Sequence, residues 1–427
     1  MQIKKIINIL VIFLLLVISV YLLFKPKKDI TNQLNEKDLI INKLNKRISS
    51  IENEKNLSNK KIFPETQFAK FFYEKIKIPF KSKGYVNYTT NSGTTNPFYI
   101  SSYENNAIII SKNSEIFYLN FDKNNQISPI KNNLDSENVF DSLIYNDELY
   151  VVVSQRDKNI KKKNNISGLS CKNYFSRKIL KTKINFSEMN FTEFYNEKIC
   201  WDSRAKENGG RIAIYNDDEG PSIIMSVYDY IKNENNELAL NDGATKYISI
   251  NLKTNKKKDF AFGFRNPQGL LVLDNGIIIS TEHGPRGGDE INKVEYSKNY
   301  GWPIASYGEK YGEGYENSDE YHYKKNHKKF NFKEPIYSFV PSIGISQIIE
   351  VNKKFMNKWE NNILISSLRN RSLYRVIFND KFERVITMER IHIGKRMRDI
   401  DYNSYNNSYL LALEEEPASI GIIKSKK

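Results

Sequence analysis

Two neighbouring segments between residues 262 and 303 carry side chains that could bind a charged ligand. The first segment, FRNPQG, places Arg265, Asn266 and Gln268 directly before a run of apolar residues. A guanidinium forms strong, charge-assisted hydrogen bonds, and amide groups beside it can bind further polar atoms of the same ligand. This corner therefore suits an anionic ligand or one that carries several carbonyl groups.

The second segment, EHGPRGGDE, follows the next apolar run and is rich in glycine and charge. Glycines such as Gly284 let the backbone approach a ligand closely, and Pro285 has no N–H group to donate. Carbonyl oxygens therefore remain available for a hard cation such as calcium, which prefers oxygen ligands. Three carboxylates flank the glycines: Glu282, Asp289 and Glu290. A glycine-rich turn with solvated charges would explain GGDE alone, whereas the two segments together favour a ligand and cation site.

The elements that position these segments are predicted to be β-strands. From about residue 65 onward, short apolar runs such as LIYNDELYVVV and LLVLDNGIIIS enclose Asn-Asp and Asp-Asn-Gly turns, a pattern typical of β-hairpins. Both polar segments border the strands of one such hairpin, so they should lie at the same end of it. The pattern predicts an all-β domain over residues 64–427, with Pro64 at its boundary. Two sandwiches would satisfy it, but a propeller explains the even spacing better.

Residues 1–28 are predicted to form a transmembrane signal anchor. An apolar run from Ile6 to Phe24 is interrupted only by Asn8 and Ser19, and at a rise of about 1.5 Å per residue it approaches the ~30 Å hydrocarbon layer of a bilayer. The alternative is a secretory signal peptide, whose small-residue cleavage site is missing here. Lysines on both sides leave the orientation undecided. Because a large C-terminal domain usually crosses, we expect an inner-membrane anchor with that domain in the periplasm or outside the cell.

Residues 29–63 are predicted to form a short helical stalk. Leu34, Ile41, Leu44, Ile48 and Ile51 follow a heptad-like spacing with polar residues between them. A solvated spacer helix is the simpler interpretation, and a dimerising coiled coil is the alternative.

Composition bounds the partners of the chain. The 427 residues carry a formal net charge of +15, but the basic residues are interleaved with acids and no nucleic-acid-binding motif occurs, so we expect no nucleic-acid partner. Cys171 and Cys200 are the two cysteines. They could close a loop of about thirty residues by a disulfide, or remain two buried thiols.

Six motifs resemble those of the glucose/sorbosone dehydrogenases, a family that includes soluble quinoprotein glucose dehydrogenase and the aldose sugar dehydrogenases. In the family's order they are GFRNPQGL, STEHGPRGGDEIN, NYGWPIASYG, EPIYSFVPSIGIS, SSLRNRSLYRV and KRMRDI. The resemblance is highly specific over residues 258–344, moderate to about residue 414, and barely detectable before Val139. It implies a six-bladed β-propeller that binds pyrroloquinoline quinone (PQQ) and calcium and oxidises the anomeric carbon of an aldose to a lactone.

The resemblance also assigns roles around the quinone and its calcium. Arg265 and Asn266 would contact the quinone, and Gln268 would support that corner. The carbonyl oxygens of Gly284 and Pro285 would help to hold the calcium.

A second group of residues matches more distant parts of the family's site. Arg396 and Arg398 would neutralise carboxylates of the cofactor. Arg369 stands where relatives usually have lysine, so the charge is kept although the geometry differs. Glu290 and Tyr300 match positions associated with a second, structural calcium.

Two positions depart from the family's pattern. Phe264 replaces a histidine before Arg265, at a position that could serve packing alone. Glu207 stands at the position of the histidine that acts as general base. A glutamate has a reference pKa of about 4.3 against about 6.5 for histidine, so it is the weaker base. The four histidines offer no obvious substitute, since we expect His322 and His327 to be exposed, His392 to be structural, and His283 to lie in the calcium loop.

Two functions follow from these features. The first is a membrane-anchored, PQQ- and calcium-dependent sugar dehydrogenase, for which the cations and the glycine loop argue. The alternative is a catalytically impaired propeller that binds a glycan or a protein, for which the loss of the histidine argues. A calcium-dependent lactonase is a weaker third hypothesis, because we find no set of carboxylates and amides that would converge on one metal.

Overall fold

A computed structural model describes residues 61–62, 71–81, 85–87, 92–95, 97–136, 138–156, 173–201, 209–227, 246–310 and 323–425, together with positions 15 and 41. The anchor, all of the stalk before Lys61, Glu207, Cys171 and His322 lie outside these ranges, apart from the two isolated positions, and stay predictions. Among the described residues, no helix has the length and apolar character needed to cross a bilayer. Residues Ile62–Lys427 form one compact unit.

Between residues 61 and 425 the described elements are β-strands and two single-turn 3-10 helices, Lys328–Phe330 and Asn357–Trp359. In chain order the strands begin with β1 (Lys61–Ile62), β2 (Phe71–Lys77), β3 (Tyr85–Asn87), β4 (Ser92–Thr95), β5 (Phe98–Tyr103), β6 (Asn106–Ser111), β7 (Ile116–Asn120), β8 (Gln126–Pro129), β9 (Lys131–Asn132), β10 (Asn138–Tyr145), β11 (Glu148–Arg156), β12 (Asn173–Lys183), β13 (Glu188–Met189) and β14 (Thr192–Trp201). They continue with β15 (Ile212–Asp217), β16 (Gly220–Val227), β17 (Lys246–Asn251), β18 (Lys257–Phe262), β19 (Pro267–Val272), β20 (Ile278–Glu282), β21 (Asp289–Val294), β22 (Tyr337–Phe339), β23 (Ile345–Glu350), β24 (Ile363–Ser367), β25 (Ser372–Phe378), β26 (Val385–His392), β27 (Arg396–Asn403), β28 (Ser408–Glu414) and β29 (Ser419–Ser425).

Six sheets form the blades of a propeller in the described chain. The first five consist of β5 to β8, then β10, β11, β12 and β14, then β15 to β18, then β19 to β22, and then β23 to β26; the sixth contains β27, β28, β29 and β2. The first strands of neighbouring blades contact one another all the way around, from β5 through β10, β15, β19, β23 and β27 back to β5. These strands therefore surround the axis, and the predicted all-β, six-bladed propeller is confirmed.

The hairpin turns form where the sequence predicts them. Asn146 and Asp147 both have positive φ angles, 50° and 59°, and connect the paired residues Tyr145 and Glu148. Two central residues with positive φ define the type I′ turn, whose twist matches that of the strands it joins. In the β19–β20 hairpin, Gly276 supplies the positive φ of 82°.

The ring is closed by strands from opposite ends of the described chain. β2 pairs antiparallel with β29, from Phe71 opposite Ser425 to Lys77 opposite Ser419. β2 thus comes from the N-terminal part of the propeller, whereas β27, β28 and β29 come from its C-terminal part. Closure of this kind gives the last blade a full set of strand partners.

The hydrophobic core consists of six clusters, each of which lies between two neighbouring blades. Sheets packed on both faces bury both sets of alternating side chains, and every residue of β6 is accordingly buried. This explains why runs such as AIII in β6 show no polar alternation. Burial of each large aliphatic side chain contributes roughly 1.5–3 kcal/mol, so the contacts between blades hold the ring together.

Candidate functional site

The start of the first strand in four blades is interrupted by a β-bulge. The pairing shifts between Val139 and Asp141, Pro267 and Gly269, Ile345 and Ile348, and Met397 and Asp399. Bulges change the direction of a side chain and are frequent beside active sites. Two of the extra residues, Gln268 and Arg398, were predicted from the sequence to bind the cofactor. Arg398 Nη1 donates to Gln268 Oε1 at 2.7 Å, so the bulges bring blades four and six together at the axis.

Arg265 faces the glycine-rich loop between β20 and β21. Its Nη1 atom donates to the carbonyl oxygen of Gly284 at 2.8 Å and to that of His283 at 3.1 Å. Its backbone N–H donates to Glu282 Oε2 at 2.7 Å, and its guanidinium carbon lies 5.3 Å from the centre of the Trp302 ring. The first polar segment is thus attached directly to the second, as the hairpin predicts.

Asn266 and Gln268 continue this corner toward the axis. Gln268 Nε2 donates to Asn266 Oδ1 at 2.8 Å, and the same oxygen accepts a bond from the Gly209 backbone N–H at 3.3 Å. Both side chains are buried. Since Arg398 also binds Gln268, hydrogen bonds connect Gly284, Arg265, Asn266, Gln268 and Arg398 into one continuous site.

The glycine-rich loop is folded so tightly that two of its glycines have no room for a side chain. A Cβ atom on Gly284 would lie 2.1 Å from the Gly288 carbonyl oxygen, and one on Gly288 would lie 2.2 Å from the Gly308 nitrogen. Asp289 holds the ends of the loop, accepting bonds from the Gly284 N–H at 3.2 Å and from the Ile345 N–H at 3.0 Å. The second of these bonds fastens the loop to the fifth blade.

A segment between β21 and β22 supports the loop from outside. The backbones of Arg286 and Glu309 exchange two hydrogen bonds, both 2.9 Å long, and Gly308 lies against Gly287 and Pro285. The described residues of this segment therefore pack against the glycine loop.

Arg396 and Arg398 share one buried carboxylate. Arg396 Nε lies 3.1 Å from Glu414 Oε2, and Arg398 Nε lies 2.6 Å from Glu414 Oε1. Although burial alone would raise the pKa of Glu414, the two arginines hold it below its usual value. The pair therefore carries one net positive charge together with Glu414.

Arg369 lies apart from these residues. It is exposed in the β24–β25 loop, and its backbone N–H donates to the Ile343 carbonyl oxygen at 3.1 Å. Among the described residues its guanidinium has no hydrogen bond or ion pair with the other predicted cofactor ligands. Its assigned role stays a prediction.

Arg211, for which we predicted no role, lies at the centre of the ring. Its Nη1 atom is 3.0 Å from both Asp141 Oδ1 and Asp399 Oδ1. Its Nε donates to the Gln268 carbonyl oxygen at 2.7 Å and its Nη2 to the Arg398 carbonyl oxygen at 2.9 Å. One side chain from the third blade thus binds the second, fourth and sixth, and it holds the backbone of both bulge residues of the site.

The two acids of this network also bind backbone groups. Asp141 Oδ2 accepts from the Ile212 N–H and Asp399 Oδ2 from the Ile100 N–H, both at 2.9 Å. Burial raises the pKa of Asp141 to about 7, and Arg211 opposes that rise. Burial would lower the pKa of Arg211, but the two carboxylates raise it above its usual value. Acids within strands, in VFDSLIY and MRDIDY, were the signal in the sequence that could have predicted this network.

Glu290 and Glu282 form a buried carboxyl pair, and Glu282 also binds the backbone of Arg265. Asn292 Nδ2 donates to Glu282 Oε1 at 2.8 Å and to Glu290 Oε2 at 3.4 Å. Burial raises the pKa of Glu282 to about 7, and burial together with Glu282 raises that of Glu290 well above its usual value. Asn292 Oδ1 has no hydrogen-bond partner among the described residues. Carboxyl oxygens are ligands that calcium accepts, and the role of Glu290 at a second calcium stays a prediction.

The aromatic residues beside the site are packing residues. Phe264 is 1% exposed and stacks on Tyr300 with ring centres 4.4 Å apart, so its side chain fills the core between blades three and four. The Tyr300 hydroxyl donates to the Lys293 carbonyl oxygen and accepts from the Glu295 N–H at 3.0 Å. A calcium role for Tyr300 therefore stays a prediction that its side-chain bonds do not require.

The expectation that His327 is exposed was wrong. It is 1% exposed and stacks on Tyr307 with ring centres 5.2 Å apart. Burial lowers its pKa. His392 is exposed at the end of β26. Burial also lowers the pKa of His283; Asp289 opposes this, and Arg398 and Arg265 lower it further, which leaves a neutral imidazole beside the site.

The residues present fit both implied ligands. Gly284 has its carbonyl oxygen already bound by a cation, the Arg265 guanidinium, so the position attracts positive charge. No group of three or more acidic, histidine or cysteine side chains in the described ranges is arranged as a metal site, so calcium here would rely on backbone carbonyls. Arg265, Arg396 and Arg398 provide the charge that a tricarboxylate needs.

A family model described as glucose/sorbosone dehydrogenase matches residues 146–420 of the chain. Among curated proteins, aldose sugar dehydrogenase YliI of Escherichia coli (strain K12) is 28% identical over 159 residues. That alignment covers 37% of this chain and 41% of the relative, so the chain matches about two fifths of the relative's length.

Solved structures share the propeller. The soluble aldose sugar dehydrogenase of E. coli in its apo form is similar with a TM-score of 0.61 and 17% identity, covering 78% of this chain and 97% of the other. The PQQ-bound form of aldose sugar dehydrogenase from Streptomyces coelicolor gives a TM-score of 0.53 and 13% identity, covering 83% of this chain and 98% of the other. At these identities the similarity establishes the fold.

Proposed function

Since the chain belongs to the glucose/sorbosone dehydrogenase family, we propose that it oxidises the anomeric carbon of an aldose to a lactone, with PQQ as electron acceptor and calcium as the metal. The observation that carries this proposal is the continuous hydrogen-bonded site of Gly284, Arg265, Asn266, Gln268 and Arg398. It joins cations, amides and the carbonyl oxygens of a backbone loop near the propeller axis. The PQQ-bound S. coelicolor relative shares this fold.

Different residues of the chain would bind different parts of the cofactor and its metal. Bound PQQ supplies a two-electron acceptor, and calcium polarises its carbonyl group. Arg265 and Asn266 would orient the quinone end, supported by Gln268, and the carbonyls of Gly284 and Pro285 would hold the calcium. Arg398 and Arg396, together with the exposed Arg369, would bind the carboxylates. Glu290 would contribute to the second, structural calcium, and we assign Tyr300 to the same site on family resemblance alone.

Glu207 is proposed as the weak general base that accepts the proton of the sugar hydroxyl. Its low reference pKa makes it less basic than the histidine of relatives by about two pKa units.

Replacing Glu207 by histidine should increase sugar oxidation at pH 7 by about tenfold or more, because a general base works best when its pKa lies near the operating pH. The measurement is aldose-dependent dye reduction by the full chain with PQQ and calcium. Glu219→His is the matched control, since Glu219 lies at an exposed turn and binds Lys258, and it should leave the rate unchanged. If PQQ binds but neither protein oxidises any aldose, the dehydrogenase proposal fails.

Replacing Glu414 by glutamine should strengthen PQQ binding about thirtyfold, because it removes a negative charge near the carboxylates that the arginines would bind. At an effective dielectric of 20 such a charge about 8 Å away is worth about 2 kcal/mol. The same change should lower the free energy of unfolding at pH 7 by roughly 3 kcal/mol.

The stability difference has a defined pH dependence. The pKa of Glu414 is lower in the folded chain than the ordinary value of a glutamate, so its stabilisation is present above that ordinary value and is lost as pH falls through the folded pKa. Wild type and E414Q should therefore converge in stability only once the pH has fallen below the folded pKa of Glu414. Glu415→Gln is the control, because Glu415 binds Lys75 and Lys395. Unchanged PQQ affinity in E414Q would show that these arginines do not meet the cofactor.

The alternative function is a propeller that binds a glycan or a protein without catalysis. Glu207 at the position of the family's histidine favours it. This alternative requires that the wild-type chain bind no PQQ in a calorimetric titration with calcium present. Tight PQQ binding would exclude it.

The N-terminal segment is proposed to anchor the protein in the inner membrane, with the propeller in the periplasm or outside the cell. The apolar run from Ile6 to Phe24 supports this, and residues 29–63 would act as a spacer or a dimerising stalk. Recovery of the full chain in the soluble fraction would contradict the anchor, and a monomeric mass in detergent would contradict dimerisation.

A further inference from the structure

We infer that the Arg265 guanidinium competes with calcium for the Gly284 carbonyl oxygen, and that it leaves this oxygen when an anionic ligand occupies the quinone corner. The inference rests on the proposed function and concerns how the two ligands of the site depend on each other.

The guanidinium is held at the calcium loop by neutral acceptors. Nη1 of Arg265 binds the Gly284 and His283 carbonyl oxygens at 2.8 Å and 3.1 Å. The Arg265 backbone is fixed by Glu282, and the guanidinium lies against Trp302. The carbonyl oxygen that calcium would use thus already accepts a hydrogen bond from a positively charged group.

Calcium binds oxygen ligands at about 2.3–2.6 Å. A calcium ion on the Gly284 oxygen and a guanidinium hydrogen-bonded to the same oxygen would lie within a few ångströms of each other, and their charges would repel. Bound calcium would therefore weaken the Arg265 contact, and the Arg265 contact must weaken calcium binding by the same factor.

Arg265 differs from Arg396 and Arg398 in the kind of group that its guanidinium binds. Arg396 and Arg398 are paired with the buried Glu414 carboxylate, whereas the Arg265 guanidinium contacts carbonyl oxygens and an aromatic ring. Bonds of a guanidinium to an anion are charge-assisted and stronger than its bonds to neutral carbonyls. An anionic ligand would therefore draw Arg265 away from the loop before it would separate Arg398 from Glu414, and calcium and the anionic ligand should bind with positive coupling.

The test measures calcium binding rather than activity. The chelator-treated full chain is titrated with calcium chloride by calorimetry, without PQQ, for wild type, Arg265→Met and Arg286→Met. Arg286 is the matched control, because it carries the same charge on the same loop but is exposed. We expect R265M to bind calcium about tenfold more tightly than wild type, within the usual range of coupling between sites, and R286M to match wild type.

A second arm uses PQQ and a charge-retaining variant. Saturating PQQ should tighten calcium binding to wild type more than to R265M, since the competition has already been removed in the variant. Arg265→Lys keeps the charge and should bind calcium as weakly as wild type. If R265M does not fold, R265K is compared with wild type and R286M instead. Any of three results would overturn the inference: equal calcium affinity in wild type and R265M, a tenfold gain in calcium affinity in R265K, or no calcium binding by any of these proteins. If wild type binds no PQQ while R265M still gains calcium affinity, the proposed function fails and the competition stands.

Discussion

Arg211→Met should lower the free energy of unfolding by about 3–5 kcal/mol, the usual cost of removing one partner of a buried ion pair. The change leaves Asp141 and Asp399 buried and without the cation that lies 3.0 Å from each. It also removes the bonds to the backbones of Gln268 and Arg398. Because total stabilities are commonly about 5–15 kcal/mol, we expect a strongly destabilised protein with impaired PQQ binding.

The measurement is equilibrium unfolding in urea, compared between R211M and Arg375→Met. Arg375 is also a buried arginine bound to a carboxylate, Glu389 at 2.8 Å, but it lies within the fifth blade, away from the axis. Its loss should cost less, since Glu389 lies on the outer strand β26 and remains in contact with solvent. R375M should also retain PQQ affinity.

A triple variant separates charge from packing. R211M combined with Asp141→Asn and Asp399→Asn removes the unpaired charges and should recover part of the lost stability, because uncharged replacements of buried ion pairs are often tolerated. If R211M proves as stable as R375M, or if the triple variant recovers nothing, the buried charges are not what holds the blades at the axis.

Gly288→Ala should abolish calcium binding at the glycine loop and destabilise the chain by roughly 2–5 kcal/mol, as the sum of backbone strain and overpacking. Gly288 has a φ of +71°, and a Cβ there would lie 2.2 Å from the Gly308 nitrogen. The loop must move away from the wall that supports it, which would displace the Gly284 and Pro285 carbonyls.

Gly287→Ala provides the matched control for this prediction. Gly287 has a φ of +90°, but the nearest atom to its Cβ would be the Gly308 Cα at 4.0 Å. It should therefore show the strain of about 1–2 kcal/mol without the collision. Calorimetric calcium titration and urea unfolding of both variants check this. Equal losses in the two would mean that the contact with Gly308 is unimportant.

Features set by neighbouring residues could be predicted from the sequence. The Asn146-Asp147 turn, the strands around it and the glycine loop each depend on a few adjacent positions with known backbone preferences. The family motifs added expected roles for the residues of this corner, and the structure brings Arg265 to Gly284 and Arg398 to Gln268.

Features set by distant residues could not be predicted. Asp399 meets Arg211 across 188 positions and the Ile100 N–H across 299, and no local pattern specifies such pairs. The bulges at Gln268 and Arg398 likewise depend on register within the finished sheets. His327 was placed at the surface because its surroundings in the sequence are polar, yet Tyr307 covers its ring.

The pairing of β2 with β29 has a consequence for how this protein is made. A ribosome releases β2 hundreds of residues before β29, so the early strand must wait with its hydrogen-bonding edge open until β29 has been synthesised. Pairings between distant parts of a chain form slowly and leave strand edges exposed to aggregation. Loss of β29 would remove the partner strand of β2 and leave the ring of the newly made chain open, even if the other five blades were complete.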